Sequence, residues 1–293
     1  MKYQVSHVTT VEYATAVRLA QFNIRLRPAA WPGQTVSDYA LLIDPPPWTR
    51  TDAEGAYVVN ESKLRLRAPI HALRVESRFA VDVAPPMIDY AQVSAPSVAQ
   101  TRERALTLPK LTSTSPASYL FASPIAVPEP EITAWTGQIL DDGMSVLDAG
   151  RALMRAIYDR FRYDPDATAT DTPPIAAFRQ RRGVCQDFAQ IMIVAARSWG
   201  IPAAYVSGYL RTLPPPGRSR LVGADAMHAW ANLWCGDELG WIGFDPTNNV
   251  FAQTDHIFVA MGRDYSDVAP LDGVFHGGAD QVMDYAVDVL PIH

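Results

Sequence analysis

Cys185, His228 and Asp245 follow one another along the chain, each in a local setting suited to nucleophilic chemistry. Arg182-Gly183-Val184-Cys185-Gln186-Asp187 leads into Phe188, Ile191, Met192, Ala195 and Trp199 at helical spacing, and Gly200 and Pro202 close that helix in the expected order. Cys185 therefore falls on the first turn of an amphipathic helix, where unpaired N–H groups and the positive dipole end favour a thiolate. Gly183 lets the backbone turn sharply and leaves room for a substrate to approach. Position alone leaves two readings open, a reactive thiol and a small buried hydrophobe.

The segments that follow favour the reactive thiol. Ala203 to Leu210 reads as a strand, and Met227-His228-Ala229-Trp230-Ala231-Asn232-Leu233-Trp234 reads as another after the Pro214-Pro215-Pro216-Gly217 loop. His228, Trp230, Asn232 and Trp234 share one parity. Gly240 to Thr247 is a third short strand, ended by an Asp-Pro turn with Asp245 at its tip. A lone strand histidine is commonly no more than half-buried packing. Three such segments together suit a different arrangement: the imidazole takes the thiol proton and the carboxylate fixes the imidazole tautomer.

Gly183-Val184-Cys185-Gln186-Asp187, Gly200-Ile201-Pro202-Ala203-Ala204-Tyr205-Val206-Ser207-Gly208-Tyr209, His228-Ala229-Trp230 and Gly240-Trp241-Ile242-Gly243-Phe244-Asp245-Pro246-Thr247, in that order, resemble the core of the transglutaminase-like superfamily. Tyr3 through Tyr13 and Leu26-Arg27-Pro28 resemble the β domain that precedes this core in bacterial members. The resemblance implies a papain-like arrangement with Cys185 as nucleophile, His228 as base and Asp245 as orienting acid. The activity it implies is attack on a carboxamide or peptide carbonyl of a protein or peptide, through a thioester resolved by water or an amine. The superfamily holds crosslinking enzymes, peptidases, peptide:N-glycanases and inactive relatives. A cysteine peptidase with the same triad and a silent protein-interaction module are thus the rival expectations. Nothing resembles the acidic calcium loops of animal transglutaminases, so no metal and no cofactor is expected.

Other residues carry weaker signals. The Cys185 N–H is the expected oxyanion donor, by analogy with other helix-borne nucleophiles. Tyr163 and Trp230 are candidate cleft-lining, substrate-binding residues, with core or surface packing the competing role for each. Arg179, Arg181 and Arg182 precede the thiol and read best as a solvated helix face. A zinc site of Cys185, His228 and Cys235 is conceivable, but zinc normally takes more closely paired ligands, and Cys235 reads as structural. His7, His71, His256, His276 and His293 stand in no motif and default to structural or surface roles.

These residues need a scaffold, and the chain supplies an α+β one. Residues 1–85 read as an antiparallel β domain: Tyr3, Val5, His7, Thr9, Val11 and Tyr13 alternate, as do Leu73, Val75, Phe79, Val81 and Val83. Residues 86–144 form a connection, with little periodicity to 128 and a helix opening at Pro128-Glu129-Pro130-Glu131. Residues 145–265 form the catalytic core, a nucleophile-bearing helix packed on an antiparallel sheet. Its first helix starts at Ser145, with Asp148 at the capping-box position. Residues 266–293 form a tail whose last strand, around Met283, Tyr285, Val287 and Val289, is expected to return to the β domain, where it covers an apolar edge.

The whole chain narrows the possible roles. Its 293 residues hold 19% charged and 10% aromatic residues, which marks a packed globular protein. A net charge of -6 without runs of like charge gives no reason to expect nucleic acid as partner. Two cysteines exclude a disulfide-rich scaffold. No window is apolar enough for a membrane span, and Met1 to His7 has no secretory pattern, so a cytoplasmic protein is expected.

Overall fold

The computed structural model describes residues 1–90, 93–212, 225–278 and 280–292; the Pro214–Gly217 loop and His293 lie outside the described residues. The chain opens with β1 (Lys2–Ile24), β2 (Gln34–Asp44), β3 (Thr49–Glu54), β4 (Asn60–Leu66) and β5 (Ile70–Val83). In β1 the side chains of residues 3, 5, 7, 9, 11 and 13 are all buried, as the alternation predicts. Buried positions then change parity, to Ala20, Phe22 and Ile24, across a register irregularity between Arg18 and Gln21. Leu19 stands there with φ +49°, the extra residue that re-aims the strand. The first half of β1 pairs with β5 and the second half with β4, while β2 and β3 extend the sheet on either side. The result is an antiparallel sheet bent into a half-barrel.

The connection holds a helix that its sequence hides. α1 (Val98–Thr107) is capped reciprocally by Ser97 and Gln100. It buries only Val98, Thr101 and Ala105, too thin a stripe to stand out as apolar periodicity. α2 (Pro130–Thr136) begins where the proline and acid place it, and α3 (Val146–Arg160) starts with the Ser145 hydroxyl accepting from the Asp148 N–H. The two-residue strand β6 (Arg162–Tyr163), α4 (Pro174–Gln180) and the equally short β7 (Arg182–Gly183) then lead into α5 (Cys185–Ser198). Behind it come β8 (Ala203–Leu210), β9 (Ala226–Trp234), β10 (Trp241–Asp245), β11 (Val250–Phe251) and β12 (His256–Gly262). These five form an antiparallel sheet in the order β11-β10-β9-β8-β12. α5 lies against β8 and β9 and among α2, α3 and α4, and this central position buries it well beyond one face, from Asp187 to Ala196.

A short helix, α6 (Tyr265–Val268), precedes β13 (Leu271–His276) and β14 (Gln281–Ile292). Both strands pair with β1, so the tail contributes two strands to the N-terminal sheet. Tyr3, Val5, Phe79 and Val81 of that sheet share one hydrophobic core with α3, α5, β8 and β9. The β region therefore packs one half of its inner face directly onto the core, and only the other half, around Val11, Leu64 and Leu73, has a core of its own. Among the described residues no helix is long and apolar enough to cross a membrane.

Candidate active site

The thiol is set by the way α5 begins. Val184 is extended at the N-cap position, and Asp187, three residues on, accepts the Val184 N–H at 2.8 Å and the Thr168 hydroxyl at 2.7 Å. Burial raises the Asp187 value, and these hydrogen bonds oppose the rise. A Cβ on Gly183 would lie 2.5 Å from Asp187 Oδ2. The space that glycine leaves is thus filled by the capping carboxylate, which corrects the expectation that it is kept for substrate. Gln186 donates to the Thr170 carbonyl at 2.8 Å, tying the 168–172 loop to the same turn. Cys185 is a free, half-buried thiol.

His228 enters from β9 and is 9% exposed. Its Nε2 lies 2.8 Å from Asp245 Oδ2, which leaves Nδ1 open, and Cys185 acts on the same imidazole. Burial alone would lower the His228 value, but the hydrogen bonds and charges of Asp245 and Cys185 outweigh it and raise it from 6.5 to about 10. Asp245 is fully buried where β10 ends. Burial opposes its ionisation, yet hydrogen bonds from His228, His256 and Asn248 hold it well below the usual carboxylate range. The chain beyond Asp245 turns back on the carboxylate: Oδ1 accepts the Thr247 N–H at 2.9 Å and the Asn248 N–H at 3.2 Å, and Oδ2 accepts Asn248 Nδ2 at 2.7 Å.

A second imidazole completes the site. His256 Nε2 lies 3.1 Å from the same Asp245 Oδ2. Its Nδ1 accepts the Gln253 N–H at 3.3 Å, so the ring's proton is on Nε2 and is donated to the carboxylate. His256 opens β12, two strands from β9, and Gly208 on the intervening β8 stands opposite His228 in register. A Cβ there would lie 2.3 Å from the Ile257 carbonyl oxygen and 2.5 Å from the Trp230 ring. The missing side chain lets Trp230 lie beneath both imidazoles, 5.3 Å from His256 edge-to-face and 6.2 Å from His228.

The other expected residues divide. Tyr163 is 53% exposed and pairs with Gly183. Its pairing with Gly183, two residues before Cys185, sets it on the rim of the site; its hydroxyl is shifted up by burial, then by the charges of Cys185 and Tyr285. Trp230 is only 3% exposed and supports the imidazoles from within, leaving it little surface for a substrate. Cys235 is buried beyond the far end of β9, its Sγ directed at the Leu233 carbonyl, and burial pushes its thiol up. It is not brought to the site. Arg179 pairs with Glu131, Arg181 lies over Phe178 and Phe161, and Arg182 faces Asp164 at 3.7 Å. His228, Asp245 and His256 bring three potential ligand atoms within 4.8 Å of one another. Their donors suit hydrogen bonding better than a cation: two N–H groups, from His256 and Asn248, point at the oxygen a metal would need.

A helix-borne thiol beside an imidazole on an antiparallel sheet defines the papain-like class of folds. Residues 133–246 match the transglutaminase-like superfamily, and residues 3–82 match the bacterial transglutaminase-like N-terminal region. An uncharacterized protein of Mycobacterium tuberculosis is 34% identical over 298 residues, covering 99% of this chain and 93% of the relative. A 108-residue stretch is 36% identical to a protein-glutamine gamma-glutamyltransferase of Pseudomonas aeruginosa, covering 34% of this chain and 16% of that protein. The solved structure of a candidate cysteine protease from Cytophaga hutchinsonii superposes with a TM-score of 0.71 at 20% identity, covering 100% of this chain and 93% of the other. The chain belongs to the transglutaminase-like superfamily, in its bacterial form with a β region ahead of the core.

Proposed function

We propose that the protein catalyses acyl transfer or amide hydrolysis on a protein or peptide through a thioester on Cys185. The observation that carries this reading is the His228–Asp245 pair, 2.8 Å apart through Nε2, with Nδ1 left open and Cys185 acting on the same imidazole. His228 takes the thiol proton, and Asp245 stabilises the resulting imidazolium. The thiolate adds to a carboxamide or peptide carbonyl, and the developing oxyanion faces the Cys185 N–H, a first-turn group without an intrahelical partner. Collapse breaks the C–N bond, and His228 returns its proton to the departing amine or ammonia. Water or a primary amine then gives a proton to His228 as it attacks the thioester, and the thiolate is released. Tyr163, exposed beside the thiol, lines the acyl approach.

The test is a panel of glutaminyl peptides incubated with a primary amine and analysed by mass spectrometry. Ammonia release with amine incorporation identifies a transferase, and ammonia release alone a deamidase. Cleaved backbone identifies a peptidase with the same triad. The reading fails if Cys185→Ala is as active as the native protein, or if the native protein modifies none of the peptides and its Cys185 alkylates no faster than glutathione.

A further inference from the structure

Asp245 receives more donors than an isolated triad carboxylate needs. Oδ1 takes two backbone N–H groups, from Thr247 and Asn248, and Oδ2 takes Asn248 Nδ2, His228 and His256. A carboxylate offers about four lone-pair directions, so these donors compete and removal of one strengthens the rest. The Thr247 and Asn248 bonds anchor the carboxylate without help from His256. What His256 adds is a second claim on the charge of Oδ2. Its own orientation is fixed at the other end, where Nδ1 accepts the Gln253 N–H.

We propose that His256 is a positioning residue of this site, which donates its Nε2 proton to Asp245 Oδ2 and shares the carboxylate charge that would otherwise fall on His228 and Asn248. The inference rests on the reading of Cys185, His228 and Asp245 as a catalytic set, and it adds a fourth member acting through Asp245. The titratable groups facing His228 are Cys185 from α5, Asp245 from β10 and His256 from β12; those facing His256 are Asp245 and His228. By drawing on Oδ2, His256 weakens the hold of Asp245 on the His228 proton. The imidazolium is thereby less stabilised, and His228 can more readily return its other proton, on Nδ1, to a leaving amine.

Two measurements on the full chain test this, and neither needs a substrate. In native protein, ¹⁵N NMR of the histidine rings is expected to show His256 with a bare Nδ1 and a protonated Nε2; the opposite tautomer overturns the proposal. In a Cys185→Ser background, which removes the sulfur's support and lowers the His228 titration to an accessible range, His256→Phe keeps a ring against Trp230 but deletes the donor. The His228 midpoint is expected to rise by about half to one pH unit, a roughly three- to tenfold tighter hold on the proton. His256→Gln, whose amide can donate, is expected to return it most of the way. His256→Asn, too short to reach Oδ2, gives the same rise should the Phe variant not fold. A midpoint that stays in place or falls overturns the proposal, since a residue that only packs would not move it upward. Both readouts concern imidazoles, so an inert Cys185 would sink the proposed chemistry while leaving this result intact.

Discussion

Replacing Asp245 by Asn changes one oxygen for an amide group, and the surroundings dictate how that amide must sit. The Thr247 and Asn248 N–H groups, at 2.9 and 3.2 Å, both require an acceptor at the Oδ1 position. The amide oxygen therefore takes that place and the NH2 group takes the place of Oδ2. There it faces the His256 N–H as donor against donor, a buried clash worth roughly 1–3 kcal/mol. It also faces His228 Nε2, 2.8 Å from the native oxygen, which must become an acceptor and pass its proton to Nδ1. Nδ1 is then no longer free to take the thiol proton. The lost bond is charge-assisted, worth about 1.5–3 kcal/mol, so the imidazolium–thiolate pair falls about 10- to 100-fold. Turnover, which also needs the correct tautomer, falls by up to ~10⁴-fold. Alkylation of Cys185 by iodoacetamide at neutral pH measures the first loss, and ¹⁵N shifts of His228 report the tautomer. An Asp245→Asn protein that alkylates within twofold of native, with His228 still protonated on Nε2, refutes the reasoning.

Further expectations follow from packing and burial. Gly183→Ala puts a Cβ 2.5 Å from Asp187 Oδ2, and the loss of that cap costs about 1–2 kcal/mol in urea unfolding, with slower Cys185 alkylation. Gly208→Ala drives a Cβ into the Ile257 carbonyl and Trp230, so a loss of about 1–3 kcal/mol is expected, together with a shifted Trp230 fluorescence. His7 bridges Tyr209 and Thr9 at 2.9 Å each, and burial lowers its value from 6.5 to about 4. The unfolded chain therefore binds one more proton between those values, and stability falls with pH by about 1.4 kcal/mol per unit below pH 6.5, levelling off near 4. His7→Asn is expected to remove that slope in urea titrations between pH 4 and 7; an unchanged slope contradicts it.

Much of the site was legible because its parts are local. Cys185 follows a helix-start pattern, His228 an alternating strand, and Asp245 a turn, and each signal spans a few residues. The alternation of β1 was likewise readable, since one face of that strand is buried at every position from Tyr3 to Tyr13. His256 was not, because its importance depends on the order of strands: β12 reaches Asp245 across β8 only where Gly208 withholds a side chain. The adjacent signal was Gly208 itself, a glycine inside an otherwise apolar strand, which marks a close approach. Parity places Trp230 beside His228 and suggests a cleft wall, and parity does not say that Ala29, Val58 and Tyr119 share a buried core with it. α1, and the apolar side of α4, are hidden for a simpler reason. Each is short and buries few apolar side chains, so tertiary packing rather than periodicity holds it.

The central claim is that His228 makes Cys185 a nucleophile. The most direct measurement is the second-order rate of iodoacetamide alkylation at neutral pH, mapped by peptide mass spectrometry in native protein and in His228→Gln. Cys185 in native protein is expected to react at least tenfold faster than glutathione, His228→Gln to abolish the excess, and buried Cys235 to stay unlabelled. A Cys185 that reacts no faster than glutathione, or equally fast without His228, contradicts the claim.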